Sequence, residues 1–175
     1  SRADRQVVME RTINWLTQTP ATNGVELTPP EEIKIGNFGT VVSHTIRLRN
    51  TGTAADVYTL TLSSGTPYNW PVNPAPPSSV TLAACQAQVM TIGVQVNVSN
   101  TWHVSDTLTL TAQSTHNPTL TDVATRTTKS PAPVLLVDDD RWYSFAAQYK
   151  AALEANGIPY DYWYVPKSWS GPAPP

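Results

Sequence analysis

One cysteine, Cys85, stands in 175 residues, which excludes an internal disulfide, and nothing in the chain has CxxC or Cys/His metal spacing. Charge is scarce as well. Asp, Glu, Lys and Arg make up 14% of the residues, against roughly 25% in an average soluble domain. With 11 basic and 13 acidic side chains the net charge is −2, and no run of Lys or Arg offers nucleic acid or an anionic membrane a foothold. No apolar run approaches the roughly 20 residues of a membrane-crossing helix. The opening Ser1-Arg2-Ala3-Asp4 lacks the pattern of a secretory signal, so in an exported protein that signal is expected upstream. Cys85 is expected to be a small filler near a strand end, with an intermolecular disulfide as the alternative.

Catalytic signatures are missing too. There is no G-x-S-x-G elbow, no HExxH helix, no P-loop and no Asp-Ser/Thr-Gly segment of the subtilase kind. His44, His103 and His116 are scattered without triad or metal spacing, and His44 falls on the inward side of its strand, as a satisfied structural imidazole would. Catalysis within these residues is therefore not expected.

What the chain does have is Thr, Ser, Asn, Gln and 16 Pro, arranged with a change of hydrophobic period. From about Asp4 to Gln18, Met9, Ile13 and Leu16 recur at i, i+4, i+7, with Val8 and Trp15 widening the stripe of one amphipathic helix. After Thr19-Pro20-Ala21-Thr22-Asn23-Gly24 the period becomes 2. Val42, His44, Ile46 and Leu48 alternate with Ser43, Thr45, Arg47 and Arg49. Tyr58, Leu60 and Leu62 alternate with Thr59 and Thr61, Val80 and Leu82 mark a short strand, and Met90, Ile92, Val94 and Val96 continue the pattern. Leu108, Leu110 and Ala112 follow, and Leu120 to Thr128 closes the set. Seven or eight short strands joined by turn-rich segments predict a mainly β, two-sheet antiparallel sandwich over residues 22–130. Residues 1–20 are then the end of a preceding domain.

Past the linker Pro131-Ala132-Pro133, the continuously apolar Val134-Leu135-Leu136-Val137 predicts a strand covered on both faces. Phe145, Tyr149, Ala152 and Leu153 predict a helix stripe, with Asn156-Gly157 as its C-cap, and Tyr160 to Val165 predicts a second strand. Residues 134–175 thus read as an incomplete βαβ unit, too small to stand alone. It is expected to dock on the sandwich or the N-terminal helix, or to pair with another chain as a homo-oligomer through its open edge. The whole resembles a piece of a longer protein.

The run Thr45-Ile46-Arg47-Leu48-Arg49-Asn50-Thr51-Gly52-Thr53-Ala54-Ala55-Asp56-Val57-Tyr58-Thr59-Leu60 resembles the strand, Asn-Thr-Gly turn and following strand of bacterial immunoglobulin-like modules. The similarity continues through Asn69-Trp70-Pro71-Val72, through Val80 to Ala84 and Gln88 to Ile92, and through Ser105 to Ala112. It implies an immunoglobulin-like fold and a spacer, stalk or packing role in large secreted or cell-surface bacterial proteins, subtilisin-like peptidases among them. Where such modules usually have Pro-Gly in a turn, this chain has Ala84-Cys85. The flanks resemble pieces of flavodoxin-like or amidotransferase-like α/β domains. Val134 to Asp140 is also similar to the opening of response-regulator receiver domains, which implies that Asp138 and Asp139 help to hold Mg2+.

Three clusters invite chemistry. Asp138, Asp139 and Asp140 follow a strand and precede a helix, where α/β folds bind ligands and hard cations, so Ca2+ or Mg2+ is the cofactor they would take. The plainer reading makes Asp139 or Asp140 a helix cap, the others being solvated. Trp70, Trp102, Trp142, Trp163 and Trp169, with Tyr68 and Tyr143, could stack on sugars; Trp70 reads as a core plug and Trp102 as the exposed ring. Glu31 and Glu32 read as a solvated loop pair, or as Ca2+ ligands at a sandwich end. The sequence points to a non-catalytic spacer or interaction module whose partners are neighbouring domains of one exported protein. An accessory region of a secreted hydrolase, a carbohydrate-binding module and a self-assembling surface protein are the alternatives.

Overall fold

The computed structural model describes residues 5–9, 21–97, 101–139 and 145–165. Two sheets form the body. Strands β1 (Val25–Thr28), β3 (Val41–Asn50) and β6 (Ala87–Gln95) make the smaller, in the order β1-β3-β6. Strands β2 (Glu31–Ile35), β4 (Asp56–Ser64), β5 (Ser79–Leu82), β7 (Ser105–Ser114) and β8 (Thr121–Lys129) make the larger, in the order β2-β8-β7-β4-β5. A first strand split between the two sheets, with β3 and β6 in one and the pairs β4-β5 and β7-β8 in the other, is the immunoglobulin-like arrangement. Pro29 and Pro30 explain the split, because neither has an N–H to carry the first ladder onward.

The period-2 pattern dictates the core. Along β3, Val42, His44, Ile46 and Leu48 are buried while Val41, Ser43, Thr45 and Arg47 are exposed. Ile46, Leu48, Tyr58, Leu82, Ile92, Val94 and Leu110 fill the space between the sheets, and Trp70 plugs it from the Pro-rich crossing after β4, as its position in the sequence predicts.

Strands β9 (Val134–Asp138) and β10 (Tyr160–Tyr164) pair in parallel, Val134 opposite Tyr160 and Asp138 opposite Tyr164. Between them runs the helix Ala146–Ala155. Gly157 at φ 64 ends it, its N–H bonding Glu154 O at 3.0 Å and the Ile158 N–H bonding Leu153 O at 3.0 Å.

Four expectations change. Glu31 and Glu32 are in β2, parallel to β8, rather than in a loop. Leu135 and Val137 on β9 are exposed, so that strand is covered on one face only. Phe145 and Tyr149 are exposed too; the helix lies over the opposite face through Lys150, whose Nζ sits 3.3 Å from the centre of the Tyr162 ring. Finally, Phe145 occupies the helix N-cap, so Asp139 does not, and Asp140 lies outside the described residues. Residues 5–9 are helical, and the rest of the predicted N-terminal helix lies outside the described residues.

Candidate functional site

The features that bear on function sit at the two ends of the sandwich. At the first pole the chain arrives through Ala21 to Gly24. Val25 of β1 stands opposite Asn50, the last residue of β3. The Thr53 and Ala54 N–H groups bond Ala21 O and Thr22 O, both at 3.1 Å. The buried Asn50 amide organises this end: its nitrogen donates to Ala54 O at 2.8 Å and Ala83 O at 3.1 Å, and its oxygen accepts from the Gly52 N–H at 2.8 Å.

Beside it Asp56, also buried, accepts from Ser114 Oγ at 2.6 Å, the Val57 N–H at 2.7 Å, His116 Nδ1 at 2.9 Å and Asn23 Nδ2 at 3.2 Å. Burial alone pushes this carboxyl up, but the bonds from Ser114, Val57 and His116 outweigh it and hold the pKa below the ordinary carboxylate value. The Tyr58 hydroxyl donates to Gly24 O at 2.7 Å, and burial, with Asp56 nearby, pushes it up to about 12.

The chain leaves at the second pole. There β2 ends with Ile35 opposite Lys129, the last residue of β8, and the Gly36 N–H bonds Lys129 O at 3.0 Å. Ser130 is buried, its hydroxyl donating to Thr101 O at 2.8 Å and accepting from the Val104 N–H at 3.0 Å. The His103 N–H bonds Pro131 O at 3.0 Å, and the Ala132 N–H bonds Asp161 Oδ2 at 2.7 Å. This last bond fixes the βαβ unit to the linker. A 120 Å³ cleft lies in the joint, lined on the sandwich side by Ile35 and Gly36 and on the βαβ side by Leu135 and Asp161. A wider 580 Å³ groove runs between His103 and the helix end at Glu154, Gly157 and Tyr160.

A polar seam crosses the sandwich near this pole. His44 on β3, fully buried, bonds Glu32 Oε2 of β2 through Nδ1 at 2.9 Å and Thr128 Oγ1 of β8 through Nε2 at 2.8 Å. Lys34 Nζ reaches Glu32 Oε1 at 3.1 Å and donates to Ser43 O at 2.7 Å. The buried Arg126 guanidinium donates to Thr125 O at 2.6 Å and Pro29 O at 2.8 Å, and its Nε has no partner among the described residues. Burial drives the His44 imidazole below its ordinary pKa despite Glu32, and lowers that of Arg126. Burial raises the Glu32 carboxyl, but the bonds from His44 and Lys34 bring it below its usual value. A neutral His44 therefore carries its proton on Nδ1, toward the carboxylate, and accepts from the Thr128 hydroxyl at Nε2.

The residues singled out from sequence fare differently. Asp138 is buried at the end of β9 and accepts from the Tyr162 hydroxyl, while Asp139 beside it is exposed. Asp140 lies outside the described residues, and among those described no group of three His, Cys, Asp or Glu side chains is placed to hold a metal. Trp102 is 48% exposed and meets Phe38 edge-on, centroids 4.8 Å apart and planes at 85°. Tyr68 and Trp70 are tilted by 50°, so neither pair is the coplanar platform that sugar stacking uses. Trp163 is half-buried in β10, and Trp142, Tyr143 and Trp169 are outside the described residues. Cys85 is exposed in the turn between β5 and β6 rather than packed as a filler. Sequence spacing missed Asp56, Asp106, Arg126 and Ser130, whose partners lie mostly tens of residues away. The one available signal was a polar residue at an inward position of an alternating strand.

No family model matches the chain, and no curated protein matches it. Among solved structures it is similar to the PapD-like domain 7 of human CEP192, at 15% identity over 65% of this chain and 89% of that one, with a TM-score of 0.46. It is similar to the secreted serine protease VesC of Vibrio cholerae, at 14% identity, 62% and 24% coverage and a TM-score of 0.46. With E. coli alpha-2-macroglobulin it shares 14% identity over 66% of this chain and 7% of that one, at a TM-score of 0.48. This chain thus spans a minor part of the last two. The fold follows from the strand order above rather than from these likenesses.

Proposed function

We propose that this chain is a non-catalytic spacer and interaction module of a large exported bacterial protein, holding neighbouring domains at opposite ends of a stiff immunoglobulin-like body. The observation that carries this reading is polarity: the chain comes in at the Asn50 end and goes out at the Lys129 end. With nine residues in β8, those ends stand about 30 Å apart. The second joint is not a loose tether. Pro131 and Pro133 restrict the backbone, Ala132 is buried, and the Ala132 to Asp161 bond locks the βαβ unit against the linker. A Thr-rich, weakly charged outer surface suits an exposed stalk that must not gather nonspecific ionic partners.

The test is backbone 15N relaxation on the whole chain. One tumbling time should fit both the sandwich and the βαβ unit, and Asp161→Ala should give the βαβ amides a shorter one while leaving the sandwich unchanged. Independent tumbling of the two parts in the unsubstituted protein would overturn the reading.

A further inference from the structure

Strand β2 is turned against its own sequence. Its apolar residues Ile33 and Ile35 face solvent at 61% and 37% exposure. Its charged residues Glu32 and Lys34 instead take the alternate positions, Glu32 reaching inward to His44. A one-residue slip would exchange the two sets, so hydrophobic burial does not hold β2 in place. What holds it is the ladder to β8 and the seam through His44, a single imidazole joining β2, β3 and β8.

We infer that β2 is an acid-released strand, with protonation of His44 as the trigger. The groups facing that imidazole are Glu32 and Lys34 from β2 and Arg126 and Thr128 from β8. A proton added at Nε2 turns the acceptor of the Thr128 hydroxyl into a donor, and places a third buried or half-buried cation beside Lys34 and Arg126, with Glu32 the one carboxylate against them among the described residues. The ring takes that proton more readily once β2 has left and water reaches it.

The sign follows from linkage. His44 is depressed in the closed state, so the open state binds more protons below its ordinary value of about 6.5, and opening grows by up to about tenfold per pH unit from there down to the closed-state pKa. Glu32, also depressed when closed, adds to the same direction at lower pH. Release would bare the edge of β8 and withdraw Ile35 and Gly36 from the cleft against Leu135 and Asp161, loosening the joint of the second pole.

Hydrogen exchange on the whole chain tests this, read at the Gly36 amide, which donates to Lys129 O, and corrected for intrinsic rates. Between pH 6.5 and 5.5 the open fraction at Gly36 should rise by up to about fivefold while amides of β4 and β7 keep their protection. His44→Gln, which keeps a neutral donor and acceptor, should abolish that dependence. An NMR titration of the His44 ring in the unsubstituted protein guards against a variant that does not fold: ring protonation should track Gly36 opening. Gly36 protection that is flat with pH, or lost together with β7, or equally pH-dependent in His44→Gln, would overturn the inference.

Discussion

Cys85 occupies the third position of the turn closed by the Gln86 N–H to Ala83 O bond at 3.1 Å, with φ at 59°. This is the conformation that a type II turn demands and that glycine adopts without a Cβ penalty. The residue type that bacterial immunoglobulin-like modules usually carry in this turn is therefore also the one its geometry favours. Cys85→Gly should raise stability by about 0.5–1 kcal/mol, seen as a higher urea midpoint at unchanged slope, whereas Cys85→Ser should move it little. A lower midpoint for the glycine variant would contradict the assigned strain. At this scale the sequence was informative about residues with simple neighbours. Trp70 reads as a plug and is 2% exposed, and His44 reads as a satisfied imidazole and has both nitrogens bonded. It was silent about which carboxylates would be buried, because Asp56 depends on Ser114 and His116, which only the fold brings near.

Among the elements, β3, β4, β6 and β7 were legible because one face is apolar and the other polar, a pattern that fixes register wherever one face is buried. Strand β2 was not, since its inward positions are charged and its apolar ones face water. The βαβ helix was legible in type and C-cap, yet its buried face was misassigned: Phe145 and Tyr149 look like a core stripe and are exposed. The outer edge of β6 shows how the Pro-rich crossing protects a strand end. Asn73 and Pro74 pair with Gly93, through the Asn73 N–H to Gly93 O bond at 2.8 Å and the Gly93 N–H to Pro74 O bond at 2.9 Å. A Cβ on Gly93 would stand 2.2 Å from Asn73 O, a backbone atom that cannot swing aside. Asp106 anchors the same crossing through the Trp70 N–H at 2.7 Å. Gly93→Ala should therefore cost about 1–3 kcal/mol, measured by chemical denaturation. A loss below about 0.5 kcal/mol, the usual range of an ordinary surface substitution, would mean that the crossing does not cover this edge.

At the scale of the whole molecule, a spacer needs a body whose ends are fixed relative to each other. The sandwich core is packed apolar side chains, and the Asn50 hub at one pole and the Ser130 to Asp161 clamp at the other are built from bonds between buried or half-buried groups. The βαβ unit, with its exposed Leu135 and Val137, is held at the joint by the Ala132 to Asp161 bond rather than by a core of its own. The native Cys85 lies at the first pole, within 3.8 Å of Gly52 O, and Ala151 is exposed on the βαβ helix. Spin labels on Cys85 and on Ala151→Cys give the most direct measurement, a double electron–electron resonance distance across the length of the chain. A rigid spacer predicts one narrow distribution centred beyond the roughly 30 Å of the sandwich, and a broad or multi-peaked distribution would contradict it.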